Sequence, residues 1–318
     1  MNAPDPISTG LSERRFLIID GALATELERR GADLRDPLWS AKVLLEQPEL
    51  IRRVHLDYLI AGADIVITSS YQAHWAGFER RGIPVHRVPG LLRQTVELAQ
   101  QAREEFLADR ATSEQPRGKP LIAASVGPYG AALADGSEYR GGYGLSDTEL
   151  AAFHRPRIEA LLSAAPDLLA CETLPSLREA LVLARLLGEF PGSGAWISFS
   201  CRDGALTCEG QDIAECARAL NDFPQVLAVG VNCTAPEHVP ALLERLRAHT
   251  AKPLLAYPNS GERYDAVSKR WLGAGRSSGS SHFATQARSW YAAGARLIGG
   301  CCRTTPDDIR CVREHLCA

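Results

Sequence analysis

The chain has 318 residues, enough to bury a large core, and its 45% hydrophobic and 23% charged residues are ordinary for a globular protein. Its 35 basic and 38 acidic residues give a formal charge of −3, which leaves no broad basic surface for nucleic acid and no acidic tail. No apolar run approaches the roughly 18 residues of a membrane span. Nine cysteines without a basic-then-apolar leader point to reduced thiols in a cytoplasmic protein and not to a disulfide framework.

The first twelve residues, beginning MNAPDPISTG, are polar and Pro-rich and read as a disordered lead. Eight short apolar segments rich in β-branched residues follow: RFLIID (15–20), ADIVITSS (63–70), PLIAASVGP (120–128), DLLACET (167–173), AWISFSC (195–201), VLAVGVNCT (226–234), PLLAYPNS (253–260) and ARLIGGCC (295–302). Continuous apolar runs suit strands covered on both faces. Between them lie stretches such as 46–62, 90–110 and 235–250, whose apolar positions return at the helical period. Helix starts are marked by DTEL after Ser146, LPSLREA after Thr173 and TPDDI after Thr304, with acidic residues in the first turn.

Eight strand-then-helix units without a dividing linker predict a single-domain (β/α)8 TIM-type barrel over residues 13–318. A doubly wound open sheet is the alternative, because a strand count does not establish closure. The Gly- and Ser-rich stretch 273–282 reads as a loop over one face and the tyrosine-bearing stretch 127–144 as a long loop that could act as a lid, while the sequence leaves open whether 127–144 and 261–282 close over the site.

Chemistry in such barrels belongs to the C-terminal strand ends. There the sequence puts Asp20 and Gly21, then Thr68, Ser69 and Ser70, then Cys171, Glu172 and Thr173, then Asn232 and Cys233, and finally the adjacent Cys301 and Cys302. Cys233, Cys301 and Cys302 offer three soft sulfurs, a set that suits Zn²⁺ with a fourth position open for chemistry. One cysteine alone would more often be a small buried residue, the reading given to the other six, with Cys171 undecided beside Glu172. Two other readings compete: a thiol redox protein with a Cys301–Cys302 vicinal disulfide, and a barrel lyase with a structural zinc. Asp20 could instead cap the first helix, whereas Glu172 at the end of an apolar run is costly to bury unless paired.

Four stretches, DGALATELE (20–28), GVNCTAPEHV (230–239), YPNSGERYD (257–265) and GGCCRTTPDDI (299–309), resemble the homocysteine S-methyltransferase family over essentially the whole chain. The resemblance implies one zinc per chain on Cys233, Cys301 and Cys302, with the homocysteine sulfur as fourth ligand. It implies Asp20 and Glu172 on the homocysteine ammonium, Gly21 and Thr68 near its carboxylate, and Asn232 in the same site. It also places Trp39 near a cationic methyl donor. Tyr71 and Trp75 follow the second strand and could add aromatic faces for that cation, ordinary packing being the alternative for both.

Within the family, the chain length leaves no room for folate or cobalamin modules, and the chain stops 16 residues after Cys302, without the arm of betaine-dependent relatives. The DGALATELE stretch best resembles the S-methylmethionine class, so the resemblance implies S-methylmethionine as donor, with S-adenosylmethionine a poorer one, methionine as product and selenocysteine as an alternative acceptor. Ala22 departs from the Gly of many relatives. The partners expected are these small molecules, with no nucleic acid and no membrane, and the chain is expected to be a monomer or a weak homo-oligomer.

Overall fold

The protein is described here from a computed structural model covering residues 5–34, 40–110, 118–261, 263–265, 270–272 and 279–318. Each apolar segment yields one strand, which lies inside the segment except at the end of the fourth, where it runs one residue beyond. These are β1 (Leu17–Ile18), β2 (Ile65–Ile67), β3 (Leu121–Val126), β4 (Leu168–Leu174), β5 (Ala195–Phe199), β6 (Val226–Asn232), β7 (Leu254–Tyr257) and, last, β10 (Ala295–Ile298). Between β7 and β10, β8 (Arg263–Asp265) and β9 (Arg270–Leu272) form a separate antiparallel ladder.

The eight main strands are all parallel, in the order β1-β10-β7-β6-β5-β4-β3-β2. A parallel bridge between Ile19 and Ile65 joins the two ends of that order. The Asp20 N–H donates to Ile65 O at 3.0 Å and the Asp64 N–H to Ile18 O at 2.7 Å. The sheet thus closes on itself, and the open doubly wound alternative is excluded.

Strand alternation divides the core in two. Leu17 and Ile19 point into the barrel with Ile65, Ala170, Trp196 and Leu255, while Ile18 between them joins the layer packed under the helices. Both faces of each strand are therefore dry, which is why the strands read as unbroken apolar runs. Among the described residues, no helix is long and apolar enough to cross a membrane.

The disordered lead is overturned from Asp5 onward. Residues Pro6–Glu13 form a helix whose N-cap Asp5 accepts the Ile7 N–H at 2.9 Å and the Ser8 N–H at 3.2 Å. Ile7 is wholly buried and joins the barrel interior beside Leu17. Leu11, one turn on, packs against the same cluster, and two apolar side chains in so short a helix are too few to establish a period. Residues 1–4 lie outside the described residues.

Candidate functional site

The chain leaves β6 at Asn232 and turns at once through Cys233, whose φ of 47° is left-handed. After β10 it passes Gly299 and Gly300 into Cys301 and Cys302. A Cβ on Gly299 would lie 2.6 Å from Ile19 O, and one on Gly300 2.4 Å from Thr304 Oγ1, so no larger residue fits this approach to β1. The Cys301 N–H donates to Pro258 O at 2.7 Å and the Ser260 N–H to Cys302 O at 3.1 Å, which fixes the cysteine pair against the β7 end.

This brings three thiols together. The Cys233 sulfur lies 2.7 Å from that of Cys301 and 3.5 Å from that of Cys302, and all three sulfurs lie within 4.8 Å of one another. Among the described residues this is the one group of three metal-ligating side chains so placed. Three soft donors converging on one point are a set that suits a tetrahedral zinc with an open fourth position, which the sulfurs would have to spread slightly to admit. Hydrogen bonds from Cys301 and Cys302 hold the Cys233 thiol well below its usual range. The Tyr139 O–H also reaches Cys233 Sγ, at 3.4 Å.

Two carboxylates face this centre from β1 and β4. Asp20 is buried; its Oδ2 accepts the Ile67 N–H at 2.9 Å, and its Oδ1 has no hydrogen-bond partner among the described residues. It does not cap a helix, since the N-cap of Leu23–Arg29 is Ala22. With a φ of −68°, Ala22 has no need of glycine. Glu172 accepts from the Ser125 hydroxyl and, at 3.1 Å, from the Tyr257 hydroxyl. Burial pushes Glu172 up to about 7 and Asp20 well above the carboxylate range, and the charge of Glu172 adds to the shift at Asp20.

Asn232, Thr68 and Gly21 shape these groups. The Asn232 Oδ1 accepts the Thr173 N–H at 2.7 Å and the Ser198 hydroxyl at 2.9 Å, and its Nδ2 donates to Thr173 Oγ1 at 2.8 Å, so its amide is engaged with the protein. Thr68 Oγ1 accepts the Ser125 N–H at 3.1 Å and lies 2.7 Å from Ser70 Oγ. Because the Ser70 hydroxyl donates to Ser125 O at 2.8 Å, the single Thr68 proton goes to Ser70. The buried Ser69 hydroxyl is left without a partner among the described residues. A Cβ on Gly21 would lie 2.7 Å from Thr304 Oγ1, which sets how closely the β1 end packs on the segment after Cys302.

The aromatic candidates separate. Burial, and then the charges of Glu138 and Cys233, push the Tyr71 phenol up, which puts it within electrostatic reach of the thiols. Trp75 opens the helix Trp75–Arg80 and packs against the outer hydrophobic layer, the ordinary packing that was its alternative. Trp39 lies outside the described residues, as does half of the 261–282 loop.

Sequence reasoning missed two features here. The loop after β3 delivers Glu138 and Tyr139 to the thiols, and its three tyrosines were the one available sign. Behind it, the buried Arg157 donates to Gly127 O and Tyr71 O, each at 3.0 Å, while Glu179 bonds His154 Nε2 at 2.9 Å and accepts the Tyr129 N–H at 2.6 Å. This polar knot pins the loops after β2 and β3.

A closed (β/α)8 barrel whose rim gathers three thiols and buried carboxylates defines the class, an enzyme barrel with a three-sulfur centre. The family model described as homocysteine S-methyltransferase matches residues 17–316. A homocysteine S-methyltransferase of Escherichia coli (strain K12) is 51% identical over 315 residues, covering 99% of this chain and 100% of the relative. Homocysteine S-methyltransferase YbgG of Bacillus subtilis is 50% identical over 306 residues, 96% of each chain. The crystal structure of the metallated form of the homocysteine methyltransferase MmuM from Escherichia coli matches with a TM-score of 0.87 at 49% identity, covering 97% of this chain and 99% of that one. The chain belongs to the homocysteine S-methyltransferase family and is a methyltransferase.

Proposed function

We propose that the chain transfers a methyl group from a sulfonium donor, S-methylmethionine in preference to S-adenosylmethionine, to the sulfur of L-homocysteine, giving methionine. The observation that carries this reading is the meeting, on one rim, of three thiols with two buried carboxylates, Asp20 and Glu172, that form no ion pair among the described residues. A ligand with both a sulfur and an ammonium complements both halves.

Cys233, Cys301 and Cys302 would hold one zinc ion per chain, and zinc on such a donor set lowers the pKa of a further thiol, so that homocysteine is a nucleophile at neutral pH. Asp20, through its free Oδ1, and Glu172 take the homocysteine ammonium. The carboxylate end is held near Gly21 and Thr68. With the Thr68 proton committed to Ser70, the unpartnered Ser69 hydroxyl is the better donor there. Asn232 serves the site by bracing Thr173 beside Glu172.

Tyr71 and Tyr139 flank the thiols, where each aromatic ring offers a sulfonium about 0.5 to 2 kcal/mol of attraction. The homocysteine thiolate attacks the methyl carbon from the side opposite the donor sulfur, and its electron pair forms the new S–CH3 bond. The old C–S⁺ bond breaks with its pair onto the donor sulfur, which leaves as a neutral thioether. Thiolate and sulfonium become two uncharged sulfurs, so a rim that excludes water favours the step.

The test supplies homocysteine with S-methylmethionine, S-adenosylmethionine or betaine and measures methionine. Fastest formation from S-methylmethionine is expected. Turnover with betaine alone would contradict the reading.

A further inference from the structure

Glu138 stands in the turn Ser137–Tyr139, within the loop after β3. Its side chain is 8% exposed, and its Oε2 has no hydrogen-bond partner among the described residues. The next residue, Tyr139, bonds Cys233 Sγ at 3.4 Å, so this turn forms a wall of the thiol centre. The wall is firmly seated: Ser200 Oγ donates to Glu138 O at 3.3 Å, and a Cβ on Gly130 would come within 2.5 Å of Glu138 N. Arg140, two residues on, bonds Asp135 and Ser137 and acts on Glu138 through its charge without a hydrogen bond, against the opposing charge of Asp135.

Burial, with the charge of Cys233 adding to it, pushes Glu138 up to about 7. A buried anion beside thiols, with an oxygen left over, is costly unless a cation arrives with the ligand. The homocysteine ammonium belongs to Asp20 and Glu172, which interact with each other at the β1 and β4 ends. The donor's sulfonium must come to the thiol centre for its methyl to reach the homocysteine sulfur, whereas the rest of the donor extends away from it.

Resting on the methyl-transfer reading above, we propose that Glu138 recognises the positively charged sulfur of the methyl donor. The methyl transfer neutralises that sulfur, so the attraction is stronger in the ground state than in the transition state. Glu138 therefore tightens donor binding and does not speed the chemical step, a split that a merely structural residue would not give.

The experiment measures steady-state kinetics of the zinc-loaded wild type, Glu138→Gln and Glu138→Asp with S-methylmethionine. Glu138→Gln should raise the donor KM about tenfold or more with kcat undiminished and the homocysteine KM unchanged, and Glu138→Asp should keep most of the donor affinity. A wild-type arm needs no variant: the neutral carbon isostere of S-methylmethionine, with CH in place of S⁺, should compete with the donor at least about tenfold more weakly than the donor itself binds. An unchanged donor KM in Glu138→Gln, or equal affinity for the isostere, overturns the assignment while leaving methyl transfer standing. A wild type that makes no methionine from either sulfonium donor overturns the underlying reading as well.

Discussion

Asn232 holds Thr173 by both ends of its amide, accepting the Thr173 N–H at 2.7 Å and donating to Thr173 Oγ1 at 2.8 Å. Thr173 has a φ of 60°, an uncomfortable place for a β-branched residue, and needs such support. Asn232 precedes Cys233 and Thr173 follows Glu172, so one side chain ties the thiol strand to the carboxylate strand. Asn232→Ala strands the Thr173 groups and should cost about 3 kcal/mol in urea unfolding. It should also raise the homocysteine KM, with zinc content retained.

The raised Glu172 sets a pH dependence. Burial pushes it to about 7 and raises Asp20 too, so the free protein loses carboxylate charge as pH falls through about 7. An ammonium ligand needs that charge, so affinity should grow with pH across this range. L-methionine carries the ammonium without a titrating thiol, which separates this effect from substrate ionisation. Calorimetry should find its binding weakening as pH falls below about 7, with the trend flattened in Glu172→Gln.

Ile7 plugs the barrel at the end opposite the rim chemistry. Ile7→Ala removes a wholly buried side chain and should lower unfolding free energy by about 2 to 5 kcal/mol. Its kcat/KM at low temperature should match the wild type. A comparable loss of activity without loss of stability would count against the separation of plug from site.

Arg157 clamps the loops after β2 and β3 through Tyr71 O and Gly127 O. Arg157→Met keeps the bulk but leaves those carbonyls bare, and thermal unfolding should register a loss of about 2 to 4 kcal/mol. The donor KM should rise more than the homocysteine KM, since Tyr71 is on the clamped loop. Arg157→Lys should restore part of the stability only, as one ammonium cannot span both carbonyls.

The barrel was legible in the sequence because strands dry on both faces are continuous apolar runs, of which ADIVITSS is an example. Closure was not, since it rests on the single Ile19–Ile65 bridge. The thiol centre was legible because adjacent Cys301 and Cys302 and the distant Cys233 all fall at strand ends. Glu138 was not, because its place on the rim depends on tertiary contacts of its loop, the tight seating at Gly130 and the bond from Ser200 Oγ among them. The Ser176–Glu179 spacing looks like a capping box, and the Glu179 N–H does bond Ser176 Oγ at 3.2 Å. The Glu179 carboxylate, however, bonds His154 and Tyr129, a choice made by tertiary neighbours. Thr68 and Asn232 lie at the ends of β2 and β6, but which hydrogen bonds their polar atoms make depends on β3, β4 and β5.

The most direct test of a three-thiol methyl-transfer centre measures bound zinc and methionine formation together in the wild type and in Cys302→Ser. The wild type should carry one zinc per chain and convert homocysteine and S-methylmethionine to methionine, and Cys302→Ser should lose both. Methionine formation that persists in Cys302→Ser without bound zinc would contradict the account.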